Sequence, residues 1–275
     1  VYEDLLKRQK TGSPFFKQSM NGVAGCYQLV GDPINAGKWY KRVLTYLERQ
    51  RKQSTYEYLN VLHNFTNSYI SIEKTDTLHR VFEAWDSLLV KMNIKNSFQE
   101  AKFLHSKANV LYIEYKNVEA IQWWEKSKLI VEKSGDQNDA LYSQIIGGLG
   151  WAYKTIGKNA LAEGYFIKQA DLSKANGGEN QKLYRQSLQG LANFYANTSN
   201  FRKADSVFMI LESNISRYLG KETRTYSDYL HDHGLMKLDL SDYASAEQDL
   251  KQSLEFYKGD ESLSIHSQIS IMDDL

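Results

Sequence analysis

The sequence contains one cysteine and two prolines. Because Cys26 is alone, an intrachain disulfide and a cysteine metal cluster are both excluded. Pro14 and Pro33 lie near the start of the 275-residue chain, so the rest lacks the residue that interrupts helices most strongly. No apolar run reaches the roughly 18 residues that a membrane span requires. These absences favour long helices and argue against a membrane-spanning protein.

The chain also has no excess of either charge. Its 34 Lys and Arg residues nearly balance 33 Asp and Glu residues, which gives a formal net charge of +1. Nucleic-acid binding usually requires a basic face, so we expect no nucleic-acid partner. Hydrophobic residues make up 42% of the chain and charged residues 24%, values that are normal for a folded protein.

A repeat of 42 residues runs through the sequence without a gap. Its first column is small in five of six copies: Ala24, Thr66, Ala108, Gly150, Ala192 and Gly234. A second column, twelve residues later, is Ala36, Leu78, Ala120, Ala162, Ala204 and Ala246. A third column is large and apolar or aromatic: Tyr40, Phe82, Trp124, Phe166, Phe208 and Leu250. Small residues at fixed positions let two helices approach closely, so the columns predict six stacked helical hairpins.

Each hairpin consists of a helix A and a helix B. We predict A helices near 16–29, 56–72, 99–114, 140–156, 182–197 and 224–239. We predict B helices near 35–51, 77–93, 118–133, 160–175, 201–218 and 243–258. The turns between them contain Gly31, Gly157, Ser199 and Ser241, which suit a left-handed residue or a new N-cap. Thr66 and Leu78 are too large for their columns, so we predict a splayed or repacked second hairpin.

The order of small residue, aromatic, turn glycine and alanine resembles the tetratricopeptide repeat (TPR) family. It is carried by Gly150, Tyr153, Gly157 and Ala162, and again by Ala24, Tyr27, Gly31 and Ala36. The long period is similar to that of kinesin light chains and of bacterial proteins whose repeats precede a caspase-like CHAT domain. The resemblance implies an all-α, right-handed superhelical α-solenoid of TPR-like helix-turn-helix repeats. We expect one array over residues 1–275, cut from a longer protein, with a partial repeat at 1–12, six repeats over about 16–258, and a seventh beginning at 262–275.

The resemblance also implies that the A helices line a concave groove that binds a protein or an extended peptide. Amide side chains recur at the groove positions, and each offers both a donor and an acceptor to a peptide backbone. The alternative interpretation is an ordinary polar helix face that contacts only water. The predicted groove residues are His63, Asn64, Asn67, His105, Asn109, Tyr112, Gln144, Trp151, Lys154, Gln189, Asn193, Asn197 and His231.

Chemistry beyond binding is not indicated by the residues. His231 and His233 are two positions apart, and on a helix such side chains point about 200° apart, which does not suit a shared metal ion. The run from Gly147 to Gly150 lies within a predicted helix and follows no strand, so helix packing explains it better than a nucleotide loop. We therefore predict no catalytic residue, no metal and no cofactor.

Three functions remain open at this stage. The first is a non-enzymatic binding scaffold. The second is the regulatory arm of an enzyme, a CHAT-type protease domain adjacent in the same chain. The third is the sensory repeat region of a bacterial signalling protein. No signal peptide is visible, and we expect a cytoplasmic protein. Because the sequence begins at Val1 and we expect its natural N-terminus to be missing, a periplasmic or secreted location is left open.

Overall fold

The computed structural model describes residues 14–70, 76–136 and 140–258, and these residues form α-helices and no β-strand. The odd-numbered helices are the A helices of the repeat and the even-numbered ones are the B helices. They are α1 (Pro14–Leu29), α2 (Pro33–Arg49), α3 (Tyr56–Ile70), α4 (Asp76–Lys91), α5 (Phe98–Ile113), α6 (Asn117–Ser134), α7 (Ala140–Thr155), α8 (Asn159–Gly177), α9 (Lys182–Asn197), α10 (Phe201–Tyr218), α11 (Arg224–Asp239) and α12 (Tyr243–Lys258). The predicted bounds agree with these within about two residues, the ordinary uncertainty of a helix end. The predicted partial repeat at 1–12 and the seventh repeat at 262–275 lie outside the described residues.

The chain divides into two compact units, residues 1–137 and 138–275. The first contains α1–α6 and the second contains α7–α12. Within each unit the A helix of a hairpin packs against the B helix before it, and neighbouring A helices also touch, α3 with α5 and α9 with α11. This stacking buries apolar faces that one hairpin could not bury alone.

The small column marks the crossing point of the two helices in a hairpin. All six of its members are buried, as are all members of the second and third columns. A Cβ added to Gly150 would lie 3.3 Å from the Phe166 ring, and one added to Gly234 would lie 3.0 Å from Leu250 Cγ. A larger side chain would therefore push helix B away from helix A.

The turn between helices A and B contains a residue in the left-handed conformation in each of the five described copies. These residues are Gly31, Tyr115, Gly157, Ser199 and Ser241, with φ between 57° and 80°. Tyr115 comes two repeats after Gly31, and the others follow at intervals of one repeat. The next backbone N–H closes the helix end, as where Lys116 N donates to Leu111 O at 2.8 Å. Tyr115 was not predicted, because its side chain carries no turn signal.

The second hairpin is splayed, as predicted. Contact between α3 and α4 is sparse compared with that in the other hairpins. The buried Leu78 of α4 occupies the position that alanine takes elsewhere. Helix α4 also contacts α5, where the Phe103 ring centroid lies 5.9 Å from that of Phe82 and 5.5 Å from that of Trp85. Aromatic contacts with the following hairpin therefore take part in holding α4 in the first unit.

Candidate binding face on the A helices

In the first unit, hydrogen-bonded polar side chains join α3 to α5. His63 Nδ1 lies 3.0 Å from Ser106 Oγ on the neighbouring helix, and Asn67 Nδ2 lies 3.2 Å from His63 Nε2 on the same helix. Ser106 is fully buried, whereas His63 and Asn67 are half-buried. The amide of Asn67 is therefore held in a fixed orientation at the edge of the solvent.

A second histidine supports the next amide along this face. The Trp124 indole N–H donates to His105 Nδ1 at 3.2 Å, and His105 Nε2 lies 3.1 Å from the Asn109 amide. Because an indole nitrogen only donates, Nδ1 accepts and the neutral imidazole carries its proton on Nε2. That proton faces Asn109 Nδ2, so the amide must turn its Oδ1 toward the ring to accept it. His105 is only 4% exposed. The sequence placed it on the groove surface, but the structure buries it beneath Asn109 because it packs against Trp124.

Both histidines are neutral at physiological pH. Burial lowers the pKa of His63 to about 3, with smaller contributions from electrostatic repulsion by His105, where that ring is protonated, and by Lys102. Burial also lowers the pKa of His105 to about 4. A neutral ring avoids the cost of burying a charge, so this part of the face offers neutral hydrogen-bonding groups. Asn64 and Tyr112 complete the predicted set of this unit and are half-buried.

In the second unit, the amides of α9 converge on one carboxylate of α11. Gln189 Nε2 donates to Asp232 Oδ2 at 2.5 Å, and Asn193 Nδ2 donates to the same oxygen at 2.7 Å. Gln189 also donates to Asp228 O at 3.3 Å. His231 Nδ1 lies 3.7 Å from the other carboxylate oxygen, Asp232 Oδ1. All of these side chains are half-buried, so this face combines oriented amides with a negative charge.

The other predicted residues of the second unit lie apart from this cluster. Trp151 is half-buried, with its ring 5.0 Å from Phe166 in an edge-to-face arrangement and Lys154 Nζ 5.5 Å from its centroid. Asn197 is exposed and donates to Asn193 O at 2.6 Å. Gln144 is exposed on α7. The structure therefore brings Gln189, Asn193 and His231 together and leaves Trp151 with Lys154 as a second, aromatic feature.

Solved structures with the same arrangement of helices are found by structural comparison. BtubC (BKLC) from P. vanneervenii superposes with a TM-score of 0.65 at 12% identity, over 94% of this chain and 93% of that one. A Rap protein complexed with Competence and Sporulation Factor gives 0.66 at 15% identity, over 94% and 81%. PilF from Pseudomonas aeruginosa gives 0.51 at 14% identity, over 94% and 97%. This chain has the fold of the TPR-type repeat proteins.

Sequence comparison adds nothing to that assignment, because no protein-family model and no curated protein sequence matches the chain. The TPR-type register nonetheless explains how the polar clusters form. His63 and Ser106 are 43 residues apart, and so are Gln189 and Asp232. The two pairs therefore occupy equivalent positions on successive A helices. Sequence reasoning named the first member of each pair and missed the role of the second, which an offset of one repeat plus one residue could have indicated.

Neither a metal site nor a membrane-spanning helix is found in the part of the chain that the structure describes. No group of three or more His, Cys, Asp or Glu side chains is arranged to hold a metal ion. His233 instead lies 2.7 Å from Asp249 and stacks on Tyr229. Among the same residues, no helix combines the length and the apolar character needed to cross a bilayer.

Proposed function

We propose that this chain is a protein- or peptide-binding scaffold and that each unit binds through the solvent-facing side of its A helices. The observation that carries the proposal is the pair of equivalent polar clusters, Asn67–His63–Ser106 in the first unit and Gln189–Asn193–Asp232 in the second. Side chains that are already held in one orientation lose less conformational entropy when a partner binds. Oriented amides therefore favour recognition of a peptide backbone.

The two clusters offer complementary chemistry to an extended peptide. An amide side chain can donate to a backbone carbonyl and accept from a backbone N–H. In the second unit the carboxylate of Asp232 adds a preference for N–H groups or a cationic side chain. Trp151 and Tyr112 are the aromatic residues on which we expect the binding energy to concentrate.

Support for a binding role also comes from the Rap protein, which was solved with Competence and Sporulation Factor bound. For this chain, we propose a protein or an extended peptide as the partner, with the six hairpins forming a single array. An adjacent catalytic domain, as in the CHAT-type alternative, and a sensory role in bacterial signalling would use the same surface, and both stay predictions.

The experiment begins with peptides selected from a random twelve-residue phage-displayed library on the wild-type protein. A selected peptide is then titrated against the variant Asn67→Ala, Asn109→Ala, Asn193→Ala. We expect the dissociation constant to rise by about fivefold to thirtyfold. A peptide on the first unit loses the hydrogen bonds of Asn67 and Asn109, and a peptide on the second loses that of Asn193, at about 1 kcal/mol each. Circular dichroism and urea unfolding check that the variant remains folded.

A matched control removes three exposed amides from the B helices, in the variant Gln122→Ala, Gln248→Ala, Gln252→Ala. This control should bind the peptide with unchanged affinity. The proposal fails if the A-helix variant binds as tightly as the wild type, or if the B-helix control loses affinity to the same extent.

A further inference from the structure

A second surface of the first unit contains a pocket of about 520 Å³. It lies between α4 and α6, with α5 as its floor. The floor is largely apolar and includes Phe103, Leu104, Val110 and Leu111, and Phe82 of α4 lies beside it. The splayed second hairpin places α4 against α5 through the aromatic contacts of Phe103, and the pocket opens beside that contact. None of the predicted groove residues lines it.

Two lysines converge on one tryptophan at the rim of this pocket. Lys107 Nζ lies 4.0 Å from the Trp123 ring centroid and Lys126 Nζ lies 5.5 Å from it. Neither ammonium forms an ion pair with a carboxylate among the described residues. By contrast, Lys95 in the same pocket is paired with Asp86 at 2.5 Å and with Glu100 at 3.6 Å. The rim formed by α5 and α6 therefore carries two ammonium groups that no ion pair neutralises, while the carboxylate of Glu83 lines the α4 side of the pocket.

This combination selects a ligand with two features. An anionic group is attracted to a site between two ammonium groups. The floor, in turn, favours an apolar side chain that would otherwise be exposed to water. A pocket of this volume is in the range used for small ligands and accommodates a few side chains rather than a folded domain. A free inorganic anion would leave the apolar floor uncovered.

We propose that this pocket binds an acidic peptide segment. The carboxylate of a Glu or Asp side chain pairs with Lys107 and Lys126, and an adjacent apolar side chain covers Phe82 and Phe103. The site is distinct from the A-helix face of the proposed function. On α5 the two surfaces are formed by different residues, Lys107 and Val110 for the pocket and Asn109 for the A-helix face.

The test uses nuclear magnetic resonance of the ¹⁵N-labelled whole chain, which contains five tryptophans. The Trp123 indole signal is assigned by its loss in Trp123→Phe. The probe is the peptide acetyl-Ala-Glu-Phe-Ala-amide, and its partner is the same peptide with Gln in place of Glu. We expect the Glu peptide to shift the Trp123 signal in a saturable manner and the Gln peptide to bind at least about tenfold more weakly.

Three further arms make the outcome decisive. The variant Lys107→Gln, Lys126→Gln should lose at least about tenfold in affinity for the Glu peptide. The control Lys91→Gln, Lys133→Gln has the same net charge and changes exposed lysines outside the pocket, so its affinity should be unchanged. The variant Asn67→Ala, Asn109→Ala, Asn193→Ala should also bind the Glu peptide normally, which separates this proposal from the previous one.

Several results would overturn the proposal. These are equal binding of the Glu and Gln peptides, retention of affinity in Lys107→Gln, Lys126→Gln, or failure of the Glu peptide to shift the Trp123 signal. A shift of the same size with inorganic phosphate alone would show that the rim attracts any anion, and it would equally overturn the assignment to a peptide. The dispersion of the remaining signals reports whether each variant is folded.

Discussion

In the first unit, His63 of α3 contacts Ser106 of α5; in the second, Gln189 of α9 contacts Asp232 of α11. The positions are equivalent in the repeat, yet one cluster is neutral and the other contains a carboxylate. In both clusters, a polar side chain of one A helix contacts a polar side chain of the next A helix. The repeat geometry therefore allows a side-chain hydrogen bond at this position and leaves the charge free to vary. The equivalent positions on α7 and α9 are Gly147 and Gly190, which form no such bond.

Because the two clusters differ in charge, we expect the two units to prefer different partner groups. A neutral cluster discriminates little between peptides of different charge, whereas a half-buried carboxylate disfavours an approaching anion. We therefore expect the first unit to contribute sequence-tolerant backbone contacts and the second to contribute selectivity for donors. Four predictions test this comparison, beginning with the geometry that both units share.

The largest effect is expected where the geometry of one unit is broken. In Gly234→Leu the new side chain meets Leu250, so the hairpin of α11 and α12 should lose roughly 3 kcal/mol of stability. Urea unfolding followed by circular dichroism measures the loss. Gly25→Leu in the first unit is the control, because nothing lies within 4 Å of an added Cβ there. A similar loss in both variants would contradict the crossing-point assignment.

The next effect compares the second members of the two clusters. Asp232→Ala leaves two half-buried amides without their acceptor and should cost about 2 kcal/mol. Ser106→Ala removes the partner of one histidine and should cost about 1 kcal/mol. Equilibrium unfolding in urea gives both values. If Ser106→Ala proved the more destabilising, the hydrogen bonds to the Asp232 carboxylate would not be the stronger of the two sets.

Acid should destabilise the first unit through its histidines. The pKa of His105 is about 4 in the folded chain against an ordinary 6.5, so between these values the unfolded state binds the proton. The stabilisation is complete above pH 6.5 and is lost as the pH falls, by about 1–2 kcal/mol for this histidine between about pH 7 and about pH 5. His105→Gln should flatten the pH dependence of the unfolding free energy by that amount. An unchanged pH profile would show that His105 takes up its proton alike in the folded and unfolded states, which would contradict a buried, neutral ring.

The smallest effect concerns the turn of the third hairpin. Tyr115 has φ of 60° and is exposed, whereas Gly157 has φ of 78° at the equivalent turn of the second unit. Tyr115→Gly should therefore stabilise the chain by about 0.5–1 kcal/mol by removing backbone strain. Gly157→Ala should destabilise it by a similar amount, and thermal unfolding compares the two. Effects of the same sign would contradict the assignment of both turns.

The sequence predicts the helices well because each hairpin repeats the same steric requirement. Ala108 and Gly150 show where two helices cross, and Leu78 shows where they separate. The binding face was predicted only in part. The positions of Asn67, Asn109 and Asn193 followed from the period, but their partners depend on the offset between neighbouring A helices. His105 was expected on the surface because its contact with Trp124 joins two helices, and the 42-residue repeat does not indicate such a contact.

The pocket beside Trp123 could not be predicted from the repeat. It is lined by residues of α4, α5 and α6 and lies beside the contacts of Phe82 and Trp85 with Phe103. Of these three residues only Phe82 belongs to a column of the repeat. Tyr115 was missed for a related reason, since its backbone conformation is imposed by the repeat and not by its own propensity.

The central claim is that the A-helix face binds peptides, and hydrogen–deuterium exchange with a selected peptide tests it most directly. Exchange of backbone amides is followed by mass spectrometry with and without the saturating peptide. The account predicts slower exchange in segments of α3, α5, α9 and α11 and unchanged exchange in the B helices α2, α8 and α12. Protection confined to the B helices, with the A helices unchanged, would contradict it.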